Sequence, residues 1–203
     1  MTFDESQAIC VWSTNSGSLS KQGNENVMTT TETDTVGRAP IPQGDRRLLD
    51  TGLARELLQA AIPVRMAYVA LDGTPRIVPT WFHWTSTEIV MATYLAGPAI
   101  GIRHPAARVA ALRANPPVAL TIDTEAWPPQ GLSLRGNAEI TEVDGLAPEY
   151  AAAARRYLSE EAAAGMIAAM DQPGTRQARI SVRPDWVGLV DFVTRKPSVL
   201  GGV

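Results

Sequence analysis

The sequence predicts a mainly β fold of the α+β class: an antiparallel barrel, closed or partly closed, with helices on its rim. Three observations carry this. Strand-like runs outnumber helical ones, the helical segments fall between groups of strands, and no strand-helix alternation of the dinucleotide-binding kind is present. Neither a G-x-G-x-x-G fingerprint nor a P-loop occurs.

The elements follow in order. Residues 1–45 are rich in Ser, Thr, Asn, Gln and Gly with few clustered apolar residues, and read as a disordered leader that cannot offset its ordering entropy. Met28 is a candidate start, and a partner-binding leader is the functional alternative. The folded domain spans 46–203. Leu53, Leu57, Leu58 and Ala61 recur at helical spacing, and Pro63 stops that helix. Three strands then form an expected meander: Val64 to Leu71, Arg76 to Trp84 after an Asp72-Gly73 turn, and Glu88 to Tyr94. Pro105 suits the first turn of a short helix over 106–114, closed by Asn115-Pro116. Strands follow at Val118 to Thr124 and Gly131 to Val143, joined by a loop through Trp127-Pro128-Pro129-Gln130 that reads as a plain rigid turn, with a loop at the barrel mouth shaping the substrate side as the alternative. Ala147 to Met170 is helical with a break near Leu158-Ser159, and Gln177 to Arg183 and Asp185 to Val193 complete the sheet.

Composition narrows the function. With 203 residues and 45% hydrophobic content, one domain with a real core is expected. A net charge of -3 speaks against nucleic acid as an obligatory partner. Lys21 and Lys196 are the only lysines, so a bound anion would be held by guanidinium groups. Cys10 is the only cysteine, and with two histidines it forms no standard metal-ligand spacing. No apolar run reaches the ~20 residues of a membrane span, and the N-terminus lacks a charged start followed by an apolar core, so no secretion signal is expected. Cytoplasmic residence is the default expectation. Neither H-E-x-x-H nor G-x-S-x-G occurs, which leaves chemistry carried mainly by a bound cofactor.

Two segments are candidates for holding one. In Arg76-Ile77-Val78-Pro79-Thr80-Trp81-Phe82 a proline interrupts a strand, which belongs at an edge or bulge. Alternation puts Arg76, Val78 and Thr80 on one face and Ile77, Pro79 and Trp81 on the other. This is a seat for a flat, phosphorylated ligand, or equally an edge strand with a solvated arginine. The second segment runs from Thr93-Tyr94 to Arg103 and Arg108 at the head of a short helix, where dipole and guanidinium together favour an anion. A capped surface helix with solvated arginines fits the same residues. The pair Arg155-Arg156 reads as a solvated helix face.

Taken together, Asp72-Gly73-x-Pro-Arg-x-x-Pro-x-Trp-Phe, then Ile-Val-Met-Ala-Thr, then Arg108-Val-Ala-Ala-Leu-Arg-Ala-Asn-Pro-Pro-Val, then Leu134-Arg-Gly-Asn-Ala-Glu-Ile resemble the pyridoxamine 5'-phosphate oxidase-like family, best over Leu53 to Val143. The resemblance implies a six-stranded split barrel that forms a homodimer, with FMN or the deazaflavin coenzyme F-420 at the subunit interface. It implies that Arg76 contacts the phosphate region, that Val78, Pro79, Thr80 and Trp81 run along the ring, and that Thr93 and Tyr94 add contacts from the next strand. Arg108, with Val109 beside it, would grip the phosphate. The connection from Thr93 to Arg108 is longer than the family's usual one, which keeps Arg103 as a competitor, and Ala111 stands where asparagine is common. The Arg-x-His that true pyridoxamine phosphate oxidases use on substrate has no counterpart, since the histidines are His83 and His104. The implied reaction is hydride transfer between flavin and a small organic substrate, with no side chain nominated as acid or base. The alternatives are a deazaflavin-dependent reductase and a non-catalytic flavin- or haem-binding protein, with His83 or His104 as axial ligand in the haem case.

Overall fold

Asp72-Gly73 turns the chain as its composition requires: Gly73 takes a φ of +79°, open to a residue without Cβ, and joins β1 (Val64–Val69) to β2 (Pro75–Thr80). In this hairpin Val64 faces Thr80 and Val69 faces Pro75. The computed structural model describes residues 41–98 and 107–192, all in a unit that begins at Ala39. The expectations for the leader up to residue 40, Met28, Cys10, Arg103, His104, Pro105 and the chain after Phe192 lie outside the described residues.

The expected meander is corrected. The run from Arg76 to Trp84 is not one strand, because it breaks at Trp81-Phe82. Phe82 is fully buried in the core, and its burial draws the chain from one half of the sheet to the other. β3 (His83–Trp84) therefore pairs with β4 (Ile89–Ala96), while β2 stays at the sheet edge, where Pro75 and Pro79 cost no ladder bonds. β5 (Pro117–Asp123), β6 (Gln130–Asp144), β7 (Arg176–Val182) and β8 (Trp186–Asp191) complete an antiparallel path β2-β1-β5-β6-β7-β4-β3, with β8 on β6. Eight strands are thus described, where the resemblance implies six.

β6 holds the two halves together. Its first part pairs with β5 and β8, and Ala138 to Asp144 pair with β7. The path ends at β2 and β3, so the barrel is split rather than closed. Between the halves, Met66, Leu120, Leu132, Leu134, Ile89, Met91, Ile180 and Val182 form one core. Where β7 kinks into β8, the Arg183 carbonyl lies only 2.6 Å from the position a Cβ would take at Gly136. Gly136→Ala is therefore expected to lower stability by about 1–3 kcal/mol through overpacking. A fall in the urea midpoint at unchanged slope would register it, and an unchanged midpoint would refute the close approach.

The helices sit on the rim. α1 (Gly52–Gln59), capped by the Thr51 hydroxyl, buries Leu57 and Leu58. α2 (Ala107–Ala114) lies between β4 and β5 in the chain. α3 (Pro148–Tyr157) and α4 (Glu160–Met170) are separated at Leu158-Ser159 as the sequence predicts, with Ser159 capping the second. Residues 41–45, assigned by composition to the leader, join the folded unit instead. The Gln43 amide both donates to the Leu189 carbonyl and accepts from its N–H, each at 2.7 Å, mimicking a strand partner for β8. No helix among the described residues is long and apolar enough to cross a membrane.

Candidate functional site

β4 and α2 place the central side chain. Ile89, Met91 and Thr93 share the inward face of β4, where Thr93 is a buried polar residue in apolar company. The Arg108 guanidinium, in the first turn of α2, donates from Nη2 to Thr93 Oγ1 at 2.5 Å. Its Nε is buried and, among the described residues, has no hydrogen-bond partner. No carboxylate pairs with it there. Burial pushes the Arg108 pKa down from its ordinary value, only partly opposed by Tyr68. A cation in this position lacks the anion that buried guanidinium groups normally have.

Arg108 opens onto a cleft of about 290 Å³ between α2 and the β1–β2 hairpin, lined also by Tyr68, Ala70, Asp72, Arg76 and Ala111. Arg76 and Tyr68 are register partners, so both lie on the face that meets α2. Arg76 is pinned at the mouth by Asp72 (Nη2 to Oδ2, 2.9 Å) and Thr74. Half-exposed, that pair is weak and open to exchange with a better anion. The cleft thus presents one half-buried and one exposed guanidinium to the same small volume.

The other residues named from the sequence are placed as follows. Val78 and Thr80 continue the Arg76 face of β2, and Pro79 is exposed on the opposite face. Trp81 stacks on Tyr157, with centroids 5.0 Å apart and planes 4° from parallel, and does not line the cleft. Tyr94 points away from Thr93 by strand alternation and bonds Thr175 Oγ1 at 3.3 Å. Val109 is buried with Leu95 and Ala178. The structure therefore brings Arg76, Thr93 and Arg108 together and sets Trp81, Tyr94 and the Val109 side chain apart from them.

Sequence reasoning missed the role of Arg156. It is no solvated residue: it donates to the carbonyls of Leu58 and Phe82 and to Tyr157 Oη, and lies 4.1 Å over the Phe82 ring. The apolar stripe Tyr150, Ala153, Ala154, Tyr157 contained the signal, because position 156 borders it at i+3 from Ala153.

A second ionic cluster ties α3 to the sheet. Arg179 binds Glu149 at 2.9 Å and faces Glu88, which also meets Arg183 at 3.1 Å. Burial works to raise the Glu149 carboxyl, but the Arg179 hydrogen bond and charge outweigh it, so its pKa lies below the ordinary glutamate value. A depressed carboxylate contributes stability that is present above the unfolded value of 4.5 and is lost as pH falls through the folded one. Glu149→Gln is expected to melt below the parent protein at neutral pH and to converge with it on acidification. Parallel melting curves across that range would contradict the pairing.

A family model described as pyridoxamine 5'-phosphate oxidase matches residues 51–191. A solved structure of a conserved hypothetical protein from Mycobacterium tuberculosis is similar at 18% identity and a TM-score of 0.51, covering 77% of this chain and 89% of that one. A protein named F420 reductase is similar at 24% identity and a TM-score of 0.47, with 68% and 97% covered. The haem storage protein HutZ of Vibrio cholerae follows at 16% identity and 0.44, with 67% and 89% covered. No curated protein matches the chain.

Proposed function

The chain belongs to the pyridoxamine 5'-phosphate oxidase-like family, and on that premise we propose that it is an FMN-dependent oxidoreductase acting on a small organic substrate. One observation carries the reading: Arg108 is a half-buried cation whose Nε is fully buried, with no carboxylate partner among the described residues, held by a neutral hydroxyl beside a cleft it shares with Arg76. A phosphate monoester supplies what the site lacks, since a guanidinium donates to it through short, charge-assisted bonds. Arg108, oriented by the Thr93 hydroxyl, holds the phosphate, and Arg76 closes over it from the hairpin. The edge strand β2, with Val78 and Thr80 on the same face, gives the ring a flat neighbour and free backbone groups. The flavin, when bound, supplies the hydride-accepting centre, and no side chain at the cleft is required as acid or base.

The protein works in this reading as a cytoplasmic homodimer. The face of the β1–β2 hairpin opposite Tyr68 and Arg76 carries exposed apolar side chains that favour pairing of two copies, with Ile77 72% and Val69 37% exposed.

The test is retention of cofactor. Purified protein incubated with FMN and desalted is expected to keep a flavin absorbance band that Arg108→Ala loses, and to be bleached anaerobically by a reduced pyridine nucleotide. Protein that retains no flavin at saturating FMN overturns the reading. Retention of deazaflavin but not FMN, or a Soret band after haem addition, overturns the choice of FMN. Retention without bleaching by any donor overturns the enzyme assignment.

A further inference from the structure

A larger groove, of about 680 Å³, lies against β3 and the segment that precedes α1. It shares no lining residue with the Arg76–Arg108 cleft. That cleft sits at the Asp72 end of the β1–β2 hairpin, whereas the groove follows Trp84, beyond the other end of β2. Four strand steps from Arg76 to Thr80 alone separate the two by roughly 13 Å.

The walls of the groove are fixed by the core. A 3-10 helix, Arg46–Asp50, buries Leu48 completely, and α1 buries Leu57 and Leu58 behind it. Leu49 and Trp84 are half-buried, each packed on the core while lining the groove. The indole of Trp84 is thus an aromatic surface held in place before any ligand arrives.

Charge in the groove is uneven. Arg47 is committed, since both its Nε (2.9 Å) and its Nη2 (2.5 Å) donate to Asp45. Arg55 is not: its contact with Asp50 is 3.7 Å long, and the two side chains are 67% and 78% exposed, so a better anion displaces it at little cost. Arg46 has no ionic or hydrogen-bond partner among the described residues and lines the same groove. Gln59 and Ser86 add neutral polar groups, and the exposed Asp50 carboxylate is the one acidic group in the lining, against three arginines. Two available guanidinium groups and a preorganised indole that line one groove, in a volume within the usual range for small-molecule sites, match a ligand that joins a planar ring to phosphates.

We propose that this groove is a second ligand site, taking a nucleotide whose ring stacks on Trp84 and whose phosphates meet Arg46 and Arg55. The site is independent of the flavin cleft. Stacking alone or charge alone in so open a place is weak, and the combination gives selectivity for ligands that carry both.

Calorimetric titration of the full chain with ADP, adenosine and pyrophosphate tests this. ADP is expected to bind saturably and more tightly than either fragment. The double variant Arg46→Ala/Arg55→Ala, altered only at exposed positions, is expected to bind ADP about tenfold or more weakly, as loss of charge-assisted phosphate contacts implies. Trp84→Leu is expected to weaken ADP and adenosine while sparing pyrophosphate, with its thermal midpoint recorded alongside. Arg108→Ala is expected to leave ADP affinity unchanged, which separates this site from the flavin reading whether or not flavin binds. The proposal is overturned if ADP shows no saturable binding. It is equally overturned if pyrophosphate binds as well as ADP, if the double arginine variant binds normally, or if Arg108→Ala abolishes ADP binding.

Discussion

Arg108→Met combined with Thr93→Val is expected to yield a more stable protein that no longer holds FMN. In the parent protein a half-buried guanidinium lies against a threonine hydroxyl, and among the described residues its buried Nε is unpartnered and no carboxylate pairs with it. Replacing a poorly compensated buried charge by an apolar side chain of similar length is worth about 1–4 kcal/mol in favour of the fold. Arg108→Met alone gains less, because it leaves the Thr93 hydroxyl buried without this partner, a cost of about 1–3 kcal/mol. The single variant should therefore melt near the parent and the double variant above it. FMN affinity moves the other way: loss of a charged hydrogen bond costs about 1.5–3 kcal/mol, or roughly ten- to a hundredfold in Kd. Opposite signs for stability and binding mark a residue kept for its ligand. If both variants are destabilised by several kcal/mol, Arg108 is a structural residue and the cleft loses its anion.

Much of this arrangement was legible in the chain. Asp72-Gly73 fixed the first hairpin through its turn chemistry, and Ser159 with the preceding Leu158 marked the break between α3 and α4. Pro79 signalled an edge, and β2 is an edge. What the pattern of apolar residues could not reveal is where an extended run changes partners. Arg76 to Trp84 reads as one strand because every residue in it is compatible with extended backbone; the break at Phe82 comes from a tertiary event, the burial of one ring between two half-sheets. The same limit applies at the site. Thr93 and Tyr94 were both candidates, although adjacent strand residues face opposite sides. The inward neighbours Ile89 and Met91 assign Thr93 to the interior and Tyr94 to the other face, where Thr175 meets it. Gln43 gave no signal, since an amide acting as a surrogate strand partner has no periodicity to read.

Arg156→Ala is expected to be the most damaging single substitution outside the apolar core. Its guanidinium joins three segments remote in sequence: the end of α1 through the Leu58 carbonyl at 2.9 Å, the β2–β3 crossing through the Phe82 carbonyl, and its own helix through Tyr157 Oη at 2.8 Å. Tyr157 in turn donates to the Ile62 carbonyl at 2.9 Å and covers Trp81. Truncation strands two carbonyl groups in a half-buried seam and removes the cation from the faces of Phe82 and Tyr157. Charged hydrogen bonds of this kind are worth about 1.5–3 kcal/mol each, so a net loss of about 3–5 kcal/mol follows. For a chain of this size that lowers the thermal midpoint by roughly 10 °C. Arg156→Lys should recover only part of it, because one ammonium cannot span carbonyls on two segments. The neighbouring exposed Arg155→Ala is the control and should stay within about 0.5 kcal/mol of the parent. Equal melting of the two alanine variants would mean that the seam closes without its guanidinium, and that the crossing of the chain at Trp81-Phe82 is held by the burial of Phe82 alone.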